Sequence, residues 1–97
     1  MVRRIVKVAA PEKIILFGSR ATGHARPDSD LDLLIVARVK DSLRKKATEI
    51  DAALFGIPLA VDAVVVTPEQ VEKWREISGG IIHTAVSQGR MLYDQAA

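Results

Sequence analysis

Three aspartates fall within five residues, at Asp28, Asp30 and Asp32. Asp30 and Asp32 are two apart and lead into the apolar run Leu33–Val36. At the start of a strand they project from one face. Carboxylates that close repel each other and raise each other's pKa unless a cation neutralises them. Hard oxygen ligands at this spacing suit Mg²⁺, which takes one or two protein carboxylates and fills its shell with water and substrate phosphate. The pattern Asp28-x-Asp30-x-Asp32 also matches the first half of an EF-hand loop. The second half fails, because the required Gly falls at Leu33 and the bidentate Glu at Val39. Taken without context, the same aspartates read as a surface cluster capping a turn.

Gly18-Ser19 supplies that context, where an apolar run gives way to polar residues. A glycine lets the backbone come close to a ligand. An N–H and the Ser19 hydroxyl can then bond a phosphate oxygen, as anion-binding nests do. No Gly-Lys-Ser/Thr follows, so this is not a Walker loop. An acidic knot between basic stretches also suits a metal ion on a polyphosphate. Met1–Arg26 carries six Lys/Arg against one Glu, and Arg38–Asp51 carries five basic and three acidic residues.

These residues need elements to hold them. Val2–Ala9 reads as a short helix before Pro11. Lys13–Gly18 is a compact apolar run closed by Gly, hence a buried strand. Ser19–Ser29, with Gly23 and Pro27, reads as a loop with at most one helical turn. Its eleven residues are long for so small a chain, which marks a binding loop. Leu31–Ala37 is a second strand. Val39, Leu43, Ala47, Ile50 and Leu54 form the stripe of an amphipathic helix, ended by Gly56 and Pro58. Arg44, Lys45 and Glu49 face water on it. Leu59–Val66 is a third strand. Thr67, Pro68 and Gln70 open a helix with a capping box. A last helix over Ile81–Gln88 stops at Gly89 and leaves Arg90–Tyr93 as a short edge strand. The order α-β-loop-β-α-β-α-α-β describes an α/β or α+β domain.

Composition narrows the field. The 97 residues, 48% apolar and 27% charged, make one domain over 1–97 with one modest core. There is no cysteine, so disulfides, thiolate zinc sites and cysteine nucleophiles are excluded. No apolar run reaches the roughly 18 residues of a membrane span. Met1–Lys7 is basic but lacks the apolar stretch and cleavage site of a signal peptide, which points to the cytoplasm. Aromatic residues do not interleave with the basic ones, so direct nucleic-acid binding is not expected. His24 and His83 lie far apart without a second imidazole or thiol, which argues against zinc.

Gly18-Ser19, ten residues, then Asp30-x-Asp32 running into a strand resembles the signature of the DNA polymerase β-like nucleotidyltransferase superfamily. The Gly18–Ala21 start and the small size resemble the minimal nucleotidyltransferases, partners of HEPN proteins in prokaryotic toxin–antitoxin modules. The resemblance runs over roughly Lys13–Tyr93, with its sharp part at Gly18–Val36. It departs at Ala21-Thr22-Gly23, where such proteins often have alanine-arginine-glycine.

The resemblance implies a nucleotidyltransferase core, a small mixed sheet flanked by helices. It also implies a third carboxylate on the next strand after a helix, and Asp62 meets that expectation. Asp30, Asp32 and Asp62 would then be the catalytic residues and hold two Mg²⁺ ions. Gly18, Ser19 and Arg20 would bind the nucleotide, ATP, though Arg20 is equally readable as a scaffold salt bridge. The implied reaction moves AMP to a hydroxyl, a tyrosine of a HEPN-type toxin, which makes the chain an antitoxin. The expected docking surfaces are Thr22–Pro27 and Ile77–Tyr93, where Ile81, Ile82 and Val86 exceed what a small core buries. Two other readings stand beside this one: a non-catalytic module that neutralises its partner by contact, and a small-molecule (antibiotic) nucleotidyltransferase.

Overall fold

A computed structural model describes residues 1–23 and 30–96. Along the chain come α1 (Val2–Ala9), β1 (Lys13–Phe17), α2 (Ser19–Thr22), β2 (Leu31–Val36) and α3 (Leu43–Ala53). Then follow β3 (Val61–Val66), α4 (Pro68–Trp74), α5 (Ile81–Gln88) and β4 (Arg90–Asp94). The strands form one sheet in the order β3-β2-β1-β4. β1 runs antiparallel to both β2 and β4, whereas β2 and β3 are parallel and joined through α3. This is the mixed α/β architecture expected from the sequence.

β2 is the spine. Leu33, Leu34 and Ile35 are each 0% exposed, because the strand lies between two neighbours and both its faces are covered. Leu33 and Ile35 join Ile5, Ile14, Leu16 and Ile50 in the core beneath α1 and α3. Leu34 and Val36 join Ile15, Val66 and Ala85 on the other face, which α5 and Val71 of α4 cover. Strand alternation therefore puts Asp32 and its even-numbered neighbours on the α4–α5 face. The apolar core under the opposite face holds the spine in place.

Two boundaries fall later than the hydrophobic pattern indicates. α3 starts at Leu43, since Ser42 takes the cap position and its hydroxyl accepts from the Lys45 N–H at 3.0 Å. Val39, counted in the helical stripe, is thus half-buried in the irregular segment before the helix. β3 starts at Val61, because Pro58, Leu59 and Ala60 remain exposed and the ladder to β2 opens only at Ala60, whose carbonyl accepts from the Leu31 N–H at 2.8 Å.

The β3–α4 junction is fixed by its capping box. The Thr67 hydroxyl accepts from the Gln70 N–H at 3.1 Å, and the Gln70 side-chain oxygen Oε1 accepts from the Thr67 N–H at 2.9 Å. Thr67→Ala frees one of these donors. It should lower stability by about 1 kcal/mol, read as a shift in the urea midpoint at unchanged m-value.

Candidate active site

The turn after β1 is built around Gly18. Its φ of 79° and ψ of −157° lie where only glycine is comfortable. A Cβ there would also overlap the Asp32 carboxylate oxygen Oδ2. Backbone conformation and space therefore both require glycine, and the missing side chain lets the main chain lie against a carboxylate. Ser19 begins the single helical turn α2 and Arg20 follows it. Gly23 ends the turn at φ 81°, its N–H donating to the Ser19 carbonyl. His24 and the rest of the loop to Ser29 lie outside the described residues, as does most of the expected docking loop Thr22–Pro27.

β2 and β3 bring the acids together. Their parallel register pairs Asp32 with Asp62, and the antiparallel register of β1 pairs Asp32 with Phe17. Residues directly paired across strands share a face, so Asp32, Asp62 and Phe17 stand side by side. Asp30 precedes β2 by one residue and belongs to the same face by alternation. Asp30 and Asp62 are exposed and Asp32 is half-buried. The Asp32 carboxyl is held above the usual aspartate range, first by burial, then by the Asp62 charge and then by that of Asp30. The two exposed acids thus both act on Asp32 electrostatically.

They do not form a closed cage. Among the described residues no three His, Cys, Asp or Glu side chains are gathered tightly enough to grip a metal ion as they stand. Like charges at the end of a sheet spread apart, and two of the three acids reach water. The site is an open ledge. A half-open hollow of about 360 Å³ lies instead at the far end of β2, lined by Arg38, Lys40 and Lys45 among others. Those cations largely have partners there: Arg38 bonds Glu12 at 2.8 Å, and Lys45 meets Asp41 at 3.6 Å.

The donor set nonetheless fits a hard divalent cation. It offers carboxylate oxygens only, repelling one another, beside a glycine cradle that a Cβ would fill. His83 is not part of the site. Its Nδ1 lies 2.9 Å from the Arg75 carbonyl oxygen, tying α5 to the end of α4. Phe17, beside Asp32, is the site neighbour that residue patterning alone does not single out. Its signal is parity: it precedes Gly18, and the turn carries β1 back alongside the start of β2.

The repulsion has a testable sign. In the folded chain Asp32 binds its proton more tightly than in the unfolded chain, so folding is favoured where Asp32 is protonated. Wild-type stability contributed by this group falls as pH rises from the ordinary aspartate value, about 3.9, through the raised one. Asp32→Asn should therefore equal or exceed wild type in stability at pH 7, and the advantage should vanish by about pH 3.5. Paired urea titrations at the two pH values measure it. An advantage that grew on acidification would contradict the assignment of repulsion.

Comparison with known proteins identifies the family. The family model described as "Nucleotidyltransferase domain" matches residues 1–86. The "Putative protein adenylyltransferase MJ0604" of Methanocaldococcus jannaschii is 34% identical over 83 residues, covering 84% of this chain and 78% of that protein. A crystal structure described as a "putative nucleotidyltransferase from Sulfolobus solfataricus" superimposes with a TM-score of 0.67 at 18% identity, covering 98% of this chain and 75% of that one. A toxin–antitoxin crystal structure with AMP-PNP gives a TM-score of 0.56 at 22% identity, covering 96% and 70%. A mutant of the toxin–antitoxin pair MntA-HpeT gives 0.59 at 21% identity, again covering 96% and 70%. At these identities the solved structures share the fold. The family match and the Methanocaldococcus relative go further: the chain belongs to the nucleotidyltransferase domain family and is a nucleotidyltransferase.

Proposed function

We propose that the chain transfers AMP from ATP to a hydroxyl of a protein partner, and that the partner is the toxin of a toxin–antitoxin pair. The observation that carries this reading is the in-register pairing of Asp32 with Asp62 across β2 and β3, with Gly18 packed against the Asp32 carboxylate. The Methanocaldococcus relative, named for protein adenylyltransfer, and the toxin–antitoxin neighbours support the partner class.

Each residue has a role in this reading. Gly18 lets main-chain N–H groups approach the phosphate tail, and Ser19 and Arg20 help to hold it. Asp30, Asp32 and Asp62 would hold two Mg²⁺ ions, which when bound neutralise the phosphates and activate the attacking hydroxyl. Asp62, exposed on the outer strand, faces the acceptor side and takes the hydroxyl proton. The acceptor oxygen bonds to the α-phosphorus, the α–β anhydride bond breaks, and pyrophosphate leaves. A partner seated over the open ledge excludes water from the reaction.

The acceptor is a tyrosine of a HEPN-type toxin in this reading, and a bulky anion added there would silence an RNase-like partner. The C-terminal helices offer a seat for it. Trp74, Ile77 and Ile81 are 44%, 52% and 52% exposed, on α4, the connection after it and α5 in turn. Ile82 and Val86 are half-buried, so the sheet takes more of α5 than the sequence implies.

The test is the intact mass of the neighbouring gene's product after incubation with this chain, ATP and Mg²⁺. A shift of one or more AMP units mapping to tyrosine is expected. Asp30→Asn and Asp32→Asn should abolish the shift without unfolding the chain. Asp62→Ala should lower kcat by at least tenfold while nucleotide affinity changes little. A tight complex with no mass shift, neutralising equally well with Asp30→Asn, would instead establish neutralisation by contact alone.

A further inference from the structure

The two edges of the sheet are not alike. At the β4 edge the register with β1 breaks between Ile14 and Ile15, and Arg90 is exposed at its end. A bulge and an exposed charge are the usual means of blunting an edge. At the other edge, β3 pairs with β2 without a shift from Leu31↔Val61 to Val36↔Val66. Its sequence, Val61–Val66, contains no Pro, Gly, Lys or Arg, and its one polar residue is Asp62. The unprotected edge is the one that carries a site carboxylate.

Its free hydrogen-bonding groups can be assigned. The Leu31 N–H donates to Ala60 O at 2.8 Å, and the Ala37 N–H donates to Val66 O at 2.9 Å. In a regular parallel ladder alternate residues turn both backbone groups to the same neighbour. Asp62, Val64 and Val66 therefore face β2. The N–H and C=O of Val61, Ala63 and Val65 point outward, where among the described residues no strand pairs with them.

The surroundings indicate what fits there. Phe55 is 86% exposed and Leu59 51%, both in the connection from α3 into β3, at the Asp62 end. Asp30, Asp32 and Asp62 make that end acidic. A second copy of this chain pairing edge to edge would offer Val61–Val66, which carries no Lys or Arg to meet those acids. A strand bearing Lys or Arg would meet complementary charge.

We infer that β3 receives an extended, basic segment of the acceptor protein as a fifth strand, with Phe55 and Leu59 gripping its flank. This rests on the adenylyl-transfer reading and says how the acceptor is presented. Strands lie about 4.8 Å apart, so an added residue opposite Asp62 and on its face carries a side chain beside that carboxylate. Main-chain bonds to Val61, Ala63 and Val65 would supply affinity largely independent of the segment's sequence, and the acidic end would select its charge.

Amide hydrogen exchange with the neighbouring gene's product as probe tests this. In the isolated chain Val61, Ala63 and Val65 should exchange at least tenfold faster than Val64 and Val66. In the complex those three amides should slow at least tenfold. Ala63→Pro removes an outward N–H and leaves the ladder to β2 intact. It should raise KM for the acceptor at least tenfold, with the Kd for Mg-ATP unchanged. Absence of protection at the three amides overturns the inference, whether the partner docks elsewhere or not at all. Asp30→Asn keeps the two readings apart: it should abolish transfer and leave the edge protection intact. Protection without transfer in the wild type would retain the docking edge and remove the chemistry, whereas transfer without protection would do the reverse.

Discussion

The parallel register of β2 against β3 is the constraint on which the site depends. It sets Asp32 beside Asp62, and it is held by residues that do no chemistry. Val61, Ala63 and Val65 pack toward the core beneath α1 and α3, while Val64 and Val66 pack toward α5. A slip of one residue would exchange these faces. Asp62 would then enter an apolar core without a partner, at a cost of several kcal/mol. The apolar alternation of one strand thus fixes the position of a carboxylate to within one strand spacing.

That arrangement spends stability at the ledge. Asp32 is half-buried and lies beside two acids, and Gly18 adopts a conformation that other residues avoid. Both features run against what folding alone favours. They persist because β2 is covered on both faces and cannot shift to relieve them. Strain and repulsion gathered at the end of a rigid strand are what a site awaiting a cation and a polyphosphate requires. The rest of that sheet face is left to two short helices, which leave Trp74 and Ile81 exposed among charged and polar residues.

How much of this is legible in the sequence depends on the range of the interactions. Gly18-Ser19 and Asp30-x-Asp32 are local signals, because a turn and a two-residue alternation need no partner. The capping box at Thr67 and the span Ile81–Gln88 are local too, and the structure has both as read. The apolar stripe sets the α3 start too early because a single serine, Ser42, decides it. That Asp62 joins Asp32 is implied in the sequence by the family resemblance alone; the strand order and register that set them opposite each other are not encoded by residue types along one strand. The same holds for Phe17 beside Asp32, and for which sheet edge is blunted.

The central claim is that Asp30, Asp32 and Asp62 act as one site for divalent cation and nucleotide. Mn²⁺ binding followed by electron paramagnetic resonance, with AMP-PNP present, tests it most directly. Wild type should bind two ions per chain, and Asp32→Asn should weaken both together, because its carboxylate lies between the other two. Mn²⁺ affinity and stoichiometry unchanged in Asp32→Asn would contradict the claim.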